Sequence, residues 1–148
     1  MEVNWFPGHM AKALREIKDH LKQVDLVIET CDARIPDSSR NPELQKLIGQ
    51  KPRILLLNKA DLADPEITSR WISFYRSDNV TALACISTQK KDLNTLIRTI
   101  QEYGREKTER AAARGRIFRP IRVMVVGIPN TGKSTLIKVL TGVYPKDS

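Results

Sequence analysis

Eight residues, Gly127 to Ser134, have types and a spacing that suit phosphate chemistry. They fit the pattern G-x-x-x-x-G-K-S/T, in which backbone N–H groups surround the phosphate oxygens of a nucleotide. An apolar run at 121–126 precedes them and a helical pattern at 134–140 follows, so a helix N-terminus points at the same anion. In this interpretation Lys133 contacts the β and γ phosphates, and the Ser134 hydroxyl ligates Mg²⁺. The predicted phosphate-site residues are Asn130, Thr131, Gly132, Lys133, Ser134 and Thr135.

A second set, Asn58-Lys59-Ala60-Asp61, fits the N-K-x-D pattern of guanine recognition. Guanine presents an N1–H and an N2 amine side by side, which one carboxylate can accept, whereas adenine has no such pair. Asp61 is therefore the predicted specificity residue, while Asn58 can bond the base N7 and the Lys59 stem can cover the purine face. Four residues alone also fit a surface turn. Their position after the apolar run 53–57, in a chain with a phosphate pattern, favours GTP over ATP.

A third candidate, Ile86-Ser87, follows another apolar run and takes the place of the loop whose backbone N–H bonds guanine O6. The match is loose, because Thr88 and Gln89 replace the alanine and lysine of the usual pattern. An ordinary strand-to-helix turn with Ser87 as its cap is the alternative.

The elements that position these loops alternate between apolar runs and amphipathic stretches. Predicted strands lie at 26–28, 53–57, 80–86 and 121–126, and predicted helices at 10–24, 42–49, 64–76, 92–104 and 134–140. Residues 105–119 extend the preceding helix and fray into a basic linker. Alternating strands and helices indicate an α/β fold, here a three-layer P-loop GTPase-type fold with a mostly parallel sheet.

Composition restricts the class of protein. The chain has 148 residues and a net charge of +8. Residues 1–104 carry 15 basic and 14 acidic side chains, against 10 and 3 for residues 105–148, so the positive charge is concentrated in one part. A polyanionic partner and a solvated basic linker both fit this charge. The two cysteines are far apart, which excludes a disulfide framework and favours the cytoplasm, and no apolar run could span a membrane.

The order of the motifs is the reverse of that in an ordinary small GTPase, because the base loops precede the phosphate loop. This order indicates a circularly permuted chain. The sequence closely resembles the ribosome biogenesis GTPase A (YlqF/RbgA) family of circularly permuted GTPases. The resemblance lies in residues 5–12 (W-F-P-G-H-M-A-K), 32–36 (D-A-R-I-P), 39–42 (S-R-N-P), 58–61 and 127–135.

The resemblance implies a GTPase that acts in assembly of the large ribosomal subunit, with GTP, GDP, Mg²⁺ and ribosomal RNA as ligands and partners. The family continues past the phosphate-loop helix with switch segments, so we expect residues 1–148 to be an N-terminal portion of the GTPase domain. We expect this portion to hydrolyse GTP negligibly by itself. An exposed edge at strand 121–126 would also favour self-association.

Further roles come from the resemblance. His9 is the candidate for orienting the attacking water, with helix capping or simple exposure as the alternative. Asn130 is the candidate K⁺ ligand, with a turn-forming asparagine as the alternative. The basic segment 105–122 could contact RNA phosphates.

Two other functions remain open: a nucleotide-gated RNA-binding assembly factor with incidental hydrolysis, and a P-loop phosphotransferase or ATPase. Asp61 disfavours the second of these.

Overall fold

The computed structural model of the chain describes residues 10–38, 40, 42–77, 80–86 and 89–127. Its helices are α1 (Met10–Leu21), α2 (Pro42–Ile48), α3 (Pro65–Ser77) and α4 (Lys90–Ala113), with a short 3-10 turn at Ala60–Leu62. Its strands are β1 (Leu26–Asp32), β2 (Arg53–Asn58), β3 (Thr81–Ala84) and β4 (Val123–Gly127). Strands and helices alternate as predicted, and the predicted helix 134–140 lies outside the described residues.

The four described strands form one parallel sheet in the order β3-β2-β1-β4. All seven residues of β1 are buried, as expected for a strand that is covered on both faces and paired on both sides. β4 pairs only with β1, so the predicted strand 121–126 is an edge strand within the described sheet. Self-association through this edge stays a prediction.

Alternate residues of β1 face different helical layers. Leu26 and Ile28 belong to a core cluster that includes Leu96 and Ile100 of α4. Val27 belongs to the cluster formed by α1 and α2, and Cys31 to the cluster beneath α3. Helices therefore cover both faces of the sheet, and the predicted three-layer α/β fold is confirmed.

The described boundaries differ from the predicted ones mainly where tertiary contacts set them. β1 continues to Asp32 because its polar end, Glu29 to Asp32, is buried between β2 and β4. α1 ends at Leu21, three residues earlier than predicted. The Lys51 ammonium caps this end, because it donates hydrogen bonds to the carbonyls of Leu21 and Val24, the latter at 2.7 Å. β3 is shorter than the predicted run 80–86.

The sequence of α3 predicts an apolar side formed by Ile67, Trp71, Phe74 and Tyr75, and this prediction is partly wrong. Tyr75 is buried and Trp71 packs against the same cluster, as predicted. Ile67 and Phe74 are instead 51% and 58% exposed, and Thr68 takes a buried position. Thr68, Trp71 and Tyr75 recur every three to four residues and share the face that meets the sheet. Ile67 and Phe74 lie beside Trp71 at the border of this face, each about 100° around the helix from a buried neighbour.

The predicted extension of the helix into residues 105–119 is confirmed as far as Ala113, and the basic linker that follows is shorter than predicted. α4 continues without a break to Ala113, so most of this segment is helix. Gly115 then adopts a left-handed conformation with φ of 69°, and the Arg116 N–H donates to the Ala111 carbonyl at 2.8 Å. The alanines and long side chains of this stretch favour helix.

Candidate nucleotide-binding site

The carboxyl ends of the strands bring the predicted loops to one edge of the sheet. Gly127, the first residue of the phosphate pattern and the last of β4, is the register partner of Thr30 in β1. Asn58, the first residue of the N-K-x-D pattern and the last of β2, is the register partner of Asp32. One strand thus separates the beginnings of the two loops, at the edge where ligands bind in open α/β sheets.

The N-K-x-D segment forms a tight turn that presents its acid to solvent. Asn58 is 1% exposed, and its side-chain oxygen accepts a 3.0 Å hydrogen bond from the Lys59 N–H. Lys59 is left-handed with φ of 58°, and the 3-10 turn follows at once. Asp61 lies exposed in this turn. Asn58 therefore braces the loop from below while the Asp61 carboxylate remains accessible to a base.

Backbone hydrogen bonds join the two predicted base loops. The Ala60 N–H donates to the Cys85 carbonyl at 3.1 Å, and the Cys85 N–H donates to the Leu57 carbonyl at 2.8 Å. The structure therefore places the segment that precedes Ile86 directly beside the N-K-x-D turn.

Asp92, in the first turn of α4, holds this second loop in place. Its carboxylate accepts a 2.8 Å hydrogen bond from the Ile86 N–H. Because that N–H is engaged, Ile86 supports the loop, and a donor to guanine O6 would come from another residue. Sequence reasoning missed Asp92, although an acidic side chain in the first turn of a helix is a recognised signal.

Asp32 and Arg34, which belong to the D-A-R-I-P motif at 32–36, also lie at this edge. Arg34 donates to the Asp32 carboxylate from Nε at 3.0 Å, from Nη2 at 2.7 Å and from its backbone N–H at 2.9 Å. These bonds hold the pKa of Asp32 below its ordinary value. The Lys59 ammonium lies 3.9 Å from the same carboxylate. A fixed negative charge therefore lies next to the lysine of the base loop.

A buried carboxylate, Glu29, anchors the loop between β1 and α2. Glu29 is 1% exposed and accepts hydrogen bonds from Arg40 at 2.9 and 3.0 Å, and Arg53 lies 3.5 Å away. Gln45 bonds both Glu29 and Arg40, while the Arg40 guanidinium lies 5.1 Å from the centre of the Tyr75 ring. Burial raises the pKa of Tyr75 to about 12, so the phenol stays neutral in this network. The network therefore fixes Arg40, which precedes α2, against the buried end of β1.

Other predicted site residues fall outside the described part of the chain. They are His9, Ser87, Asn130, Thr131, Gly132, Lys133, Ser134 and Thr135. Within the described ranges, no three His, Cys, Asp or Glu side chains are grouped so that they could hold a metal ion. Burial raises the pKa of Cys31 to about 12 and that of Cys85 to about 11, so both thiols stay protonated at neutral pH.

A groove of about 600 Å³ opens at the opposite end of the sheet. It lies between α4 and the amino ends of β1, β2 and β3, where Leu26, Arg53 and Thr81 line it. It is therefore separate from the edge that carries the base loops.

Sheet order and loop placement define a GTPase-type α/β domain in which the N-K-x-D turn precedes, along the chain, the strand that leads into the phosphate pattern. A family described as 50S ribosome-binding GTPase matches residues 122–147. The crystal structure of GNP-bound YlqF from T. maritima matches 88% of this chain and 48% of its own, with a TM-score of 0.68 and 32% identity. A GDP-bound YlqF structure gives a TM-score of 0.66 at 31% identity over 86% of this chain and 48% of its own.

Ribosome biogenesis GTPase A of Bacillus pumilus is 49% identical over 95% of this chain and 50% of its own length. Mitochondrial ribosome-associated GTPase 1 of Mus musculus is 41% identical over 93% of this chain and 42% of its own. The predicted resemblance to the ribosome biogenesis GTPase A family is confirmed. The chain spans about half the length of the curated relatives it matches. None of the helices in the described ranges is long and apolar enough to cross a membrane.

Proposed function

We propose that this chain is the guanine-nucleotide-binding portion of a circularly permuted GTPase that acts in assembly of the large ribosomal subunit. The observation that carries the proposal is the common edge shared by the N-K-x-D turn and the strand that leads into the phosphate pattern. Both loop beginnings flank the carboxyl end of β1, as a single nucleotide that spans them requires.

In this proposal guanine lies against the turn at residues 58–61, and its N1–H and N2 amine donate to the exposed Asp61 carboxylate. The buried Asn58 and the bond between Ala60 and Cys85 hold that turn in place before any ligand arrives. Preorganisation of this kind reduces the entropy lost on binding. GTP and GDP are the proposed ligands. Their phosphates would bind to the loop at 130–135, where the Lys133 ammonium would contact them.

Mg²⁺ and K⁺ are the proposed metal ions. A Mg²⁺ held mainly by phosphate oxygens, water and the Ser134 hydroxyl needs no cluster of protein carboxylates, so the donor set of this chain fits it. When bound, these ions would neutralise charge on the phosphates. The amide oxygen of Asn130 is the proposed K⁺ ligand, and His9 the proposed residue for positioning water.

The test is a competition between nucleotides. The chain is titrated with a fluorescent GDP analogue, which GTP, ATP and xanthosine triphosphate then displace. We expect GTP to compete far better than ATP.

Asp61→Asn should weaken the affinity for GTP about 10- to 100-fold, because a charge-assisted hydrogen bond contributes about 1.5–3 kcal/mol. The same variant should bind xanthosine triphosphate better than the parent chain does. Asp64→Asn, also exposed but at the cap of α3, is the matched control. Equal binding of GTP and ATP by the parent chain would refute the proposal.

A second function, a nucleotide-gated RNA-binding factor with incidental hydrolysis, is favoured by the concentration of positive charge after residue 104. Turnover of GTP by a form that contains the switch segments, with and without large ribosomal subunits, separates the two. Stimulation by subunits supports a GTPase cycle on the ribosome. Unchanged slow turnover together with nucleotide-dependent binding to subunits supports the second function. The cytoplasmic location stays a prediction.

A further inference from the structure

The face of α4 that meets the sheet changes from apolar to cationic along the helix. Its first half packs Leu96 and Ile100 into the core, and Tyr103 closes this contact with a 3.2 Å hydrogen bond from its hydroxyl to the Asp25 carbonyl. The same face continues after Tyr103 at successive spacings of four, three and four residues, through Lys107, Arg110 and Arg114. None of residues 105–113 is buried. The helix thus extends about 13 Å beyond its packed part, at a rise of about 1.5 Å per residue.

The chain folds back beside this extension and orders its cations. After the left-handed Gly115, Phe118 returns so that the Lys107 ammonium lies 5.5 Å from its ring centre and 5.8 Å from that of Tyr103. The Arg119 guanidinium lies 5.3 Å from the centre of the Phe118 ring and pairs with Asp25 at 2.6 Å. The extension is therefore attached to the domain at its base.

Carboxylates neutralise only part of the charge on this segment. Arg105 pairs with Glu102 and with Glu109, the latter at 3.2 Å. Lys107, Arg110, Arg114 and Arg116 form no ion pair within the described residues, and the three arginines are exposed. We refer to these four residues as the α4 cationic surface.

The α4 cationic surface matches a polyphosphate in chemistry and spacing. Its helical charges recur about every 4.5–6 Å along the axis, and three of the four side chains are guanidiniums, which bind phosphate in a bidentate way. An apolar partner would find only Ile117, fully exposed at the turn, and the methyl groups of the alanines. A densely charged backbone satisfies all four cations at once and releases their counterions.

We propose that the α4 cationic surface, formed by Lys107, Arg110, Arg114 and Arg116, is an RNA-docking surface that binds the phosphate backbone without reading base sequence. The inference rests on the proposed ribosomal function and adds the surface that makes the contact. Because the surface begins beyond the packed part of α4, it can bind RNA without rearrangement of the core.

The test compares two triple variants that remove equal charge. The α4 variant changes three cations of the proposed surface to glutamine: Arg110→Gln, Arg114→Gln and Arg116→Gln. The α1 variant changes three exposed cations at and just after α1 in the same way: Arg15→Gln, Lys18→Gln and Lys22→Gln. Binding of the full chain to fluorescently labelled, protein-free large-subunit rRNA is measured from about 50 to 300 mM KCl. We expect the first variant to lose at least tenfold in affinity near 100 mM salt and to flatten the slope of log K against log salt by about 2 to 3, as three lost phosphate contacts require. The α1 variant should keep most of the slope.

Each other outcome has a defined meaning. An unchanged slope in the α4 variant, an equal loss in the α1 variant, or no RNA binding by the parent chain at low salt would overturn the proposal. Vesicles of anionic phospholipid form a second arm of the experiment. Loss of vesicle binding by the α4 variant without loss of RNA binding would overturn the proposal as well.

Titration of the same proteins with the GDP analogue separates the RNA-surface proposal from the GTPase proposal. Intact nucleotide binding with unchanged RNA binding in the α4 variant refutes only the surface. Absent nucleotide binding with salt-sensitive RNA binding through α4 refutes only the GTPase assignment.

Discussion

Asp32 and Lys59 face each other at the carboxyl edge of the sheet, with 3.9 Å between the carboxylate Oδ2 and the ammonium Nζ. They come from neighbouring strands, because Asp32 is the register partner of Asn58, the residue before Lys59. Asp32 is already held by the fork of Arg34, so its charge has a fixed position. The carboxylate thus restricts the position of the Lys59 ammonium, and in the proposed site it would orient the Lys59 stem over the purine.

Asp32→Asn should therefore weaken the binding of GDP and GTP several-fold while leaving the preference for GTP over ATP intact. Asparagine keeps the size of the side chain but removes the charge that holds Lys59 and Arg34, whereas Asp61 is unaffected. Titration with the fluorescent GDP analogue and competition with ATP measure both quantities. Asp37→Asn, which alters an exposed carboxylate in the same loop, is the control. Loss of base preference in the Asp32 variant would contradict the positioning role.

Asp92→Ala should loosen the loop that follows β3. The Ile86 N–H loses its 2.8 Å partner, which should cost about 1–3 kcal/mol in free energy of unfolding if water does not replace it. Guanine nucleotide affinity should fall as well, because that loop and the N-K-x-D turn are bonded through Ala60 and Cys85. Urea unfolding and nucleotide titration are the measurements, with the exposed Lys91→Ala as control. Full affinity in a variant of normal stability would show that the loop does not contact the base.

Glu29→Ala should destabilise the domain by about 3–5 kcal/mol, because it leaves Arg40 and Arg53 without their buried counter-charge. Glu66→Ala removes an exposed partner of Arg70 and should cost no more than about 0.5 kcal/mol. The two variants are compared by the midpoints of their urea unfolding curves, provided that the dependence of the unfolding free energy on urea is the same in both. A similar small effect for both variants would mean that water reaches the Glu29 site.

Acid should remove stability that Asp25 provides. Burial raises the pKa of Asp25, but the bonds from the Arg119 side chain and the Arg122 N–H outweigh it, so its pKa lies below the ordinary 3.8. A carboxyl whose pKa is lower in the folded state contributes stability above about pH 4, and that stability is lost as pH falls through the folded pKa. Asp25→Asn should thus lower the free energy of unfolding at pH 7, and the difference from the parent should shrink toward pH 2.

Urea unfolding of the parent and Asp25→Asn at pH 7, 4, 3 and 2 gives this difference directly. Asp19→Asn, an exposed carboxylate of α1 with no ion pair among the described residues, should show almost no difference at pH 7. A constant gap between parent and Asp25→Asn at every pH would assign the effect to size or packing and not to charge.

The sequence predicted the class of fold and the placement of the base loops because both depend on local patterns. Buried parallel strands are short apolar runs, as at 53–57, and the N-K-x-D segment follows such a run. The roles of Asp32, Arg34 and Asp92 could not be predicted, since each is defined by a partner that only the register of the sheet or the packing of α4 brings near. The extension of α4 could be predicted from the sequence, but its continuation to Ala113 could not, because the charge of residues 105–119 also fits a solvated linker. Nor could the sequence decide between the faces of α3 that hold Phe74 and Tyr75.

The pairing of β4 with β1 has a consequence for the order of folding. β1, β2 and β3 lie next to one another in both sequence and space, so this half can form through short crossovers. β4 must return over a long stretch of sequence to pair with β1, since the Arg122 N–H bonds the Asp25 carboxylate over 97 positions. Closing so long a loop is slow, and chains fold from the N-terminus during synthesis. We therefore expect the half that carries the N-K-x-D turn to be structured on the nascent chain before β4 docks. In a pulse-labelled hydrogen-exchange experiment, the backbone amides of β1 and β2 should then become protected earlier than those of β4.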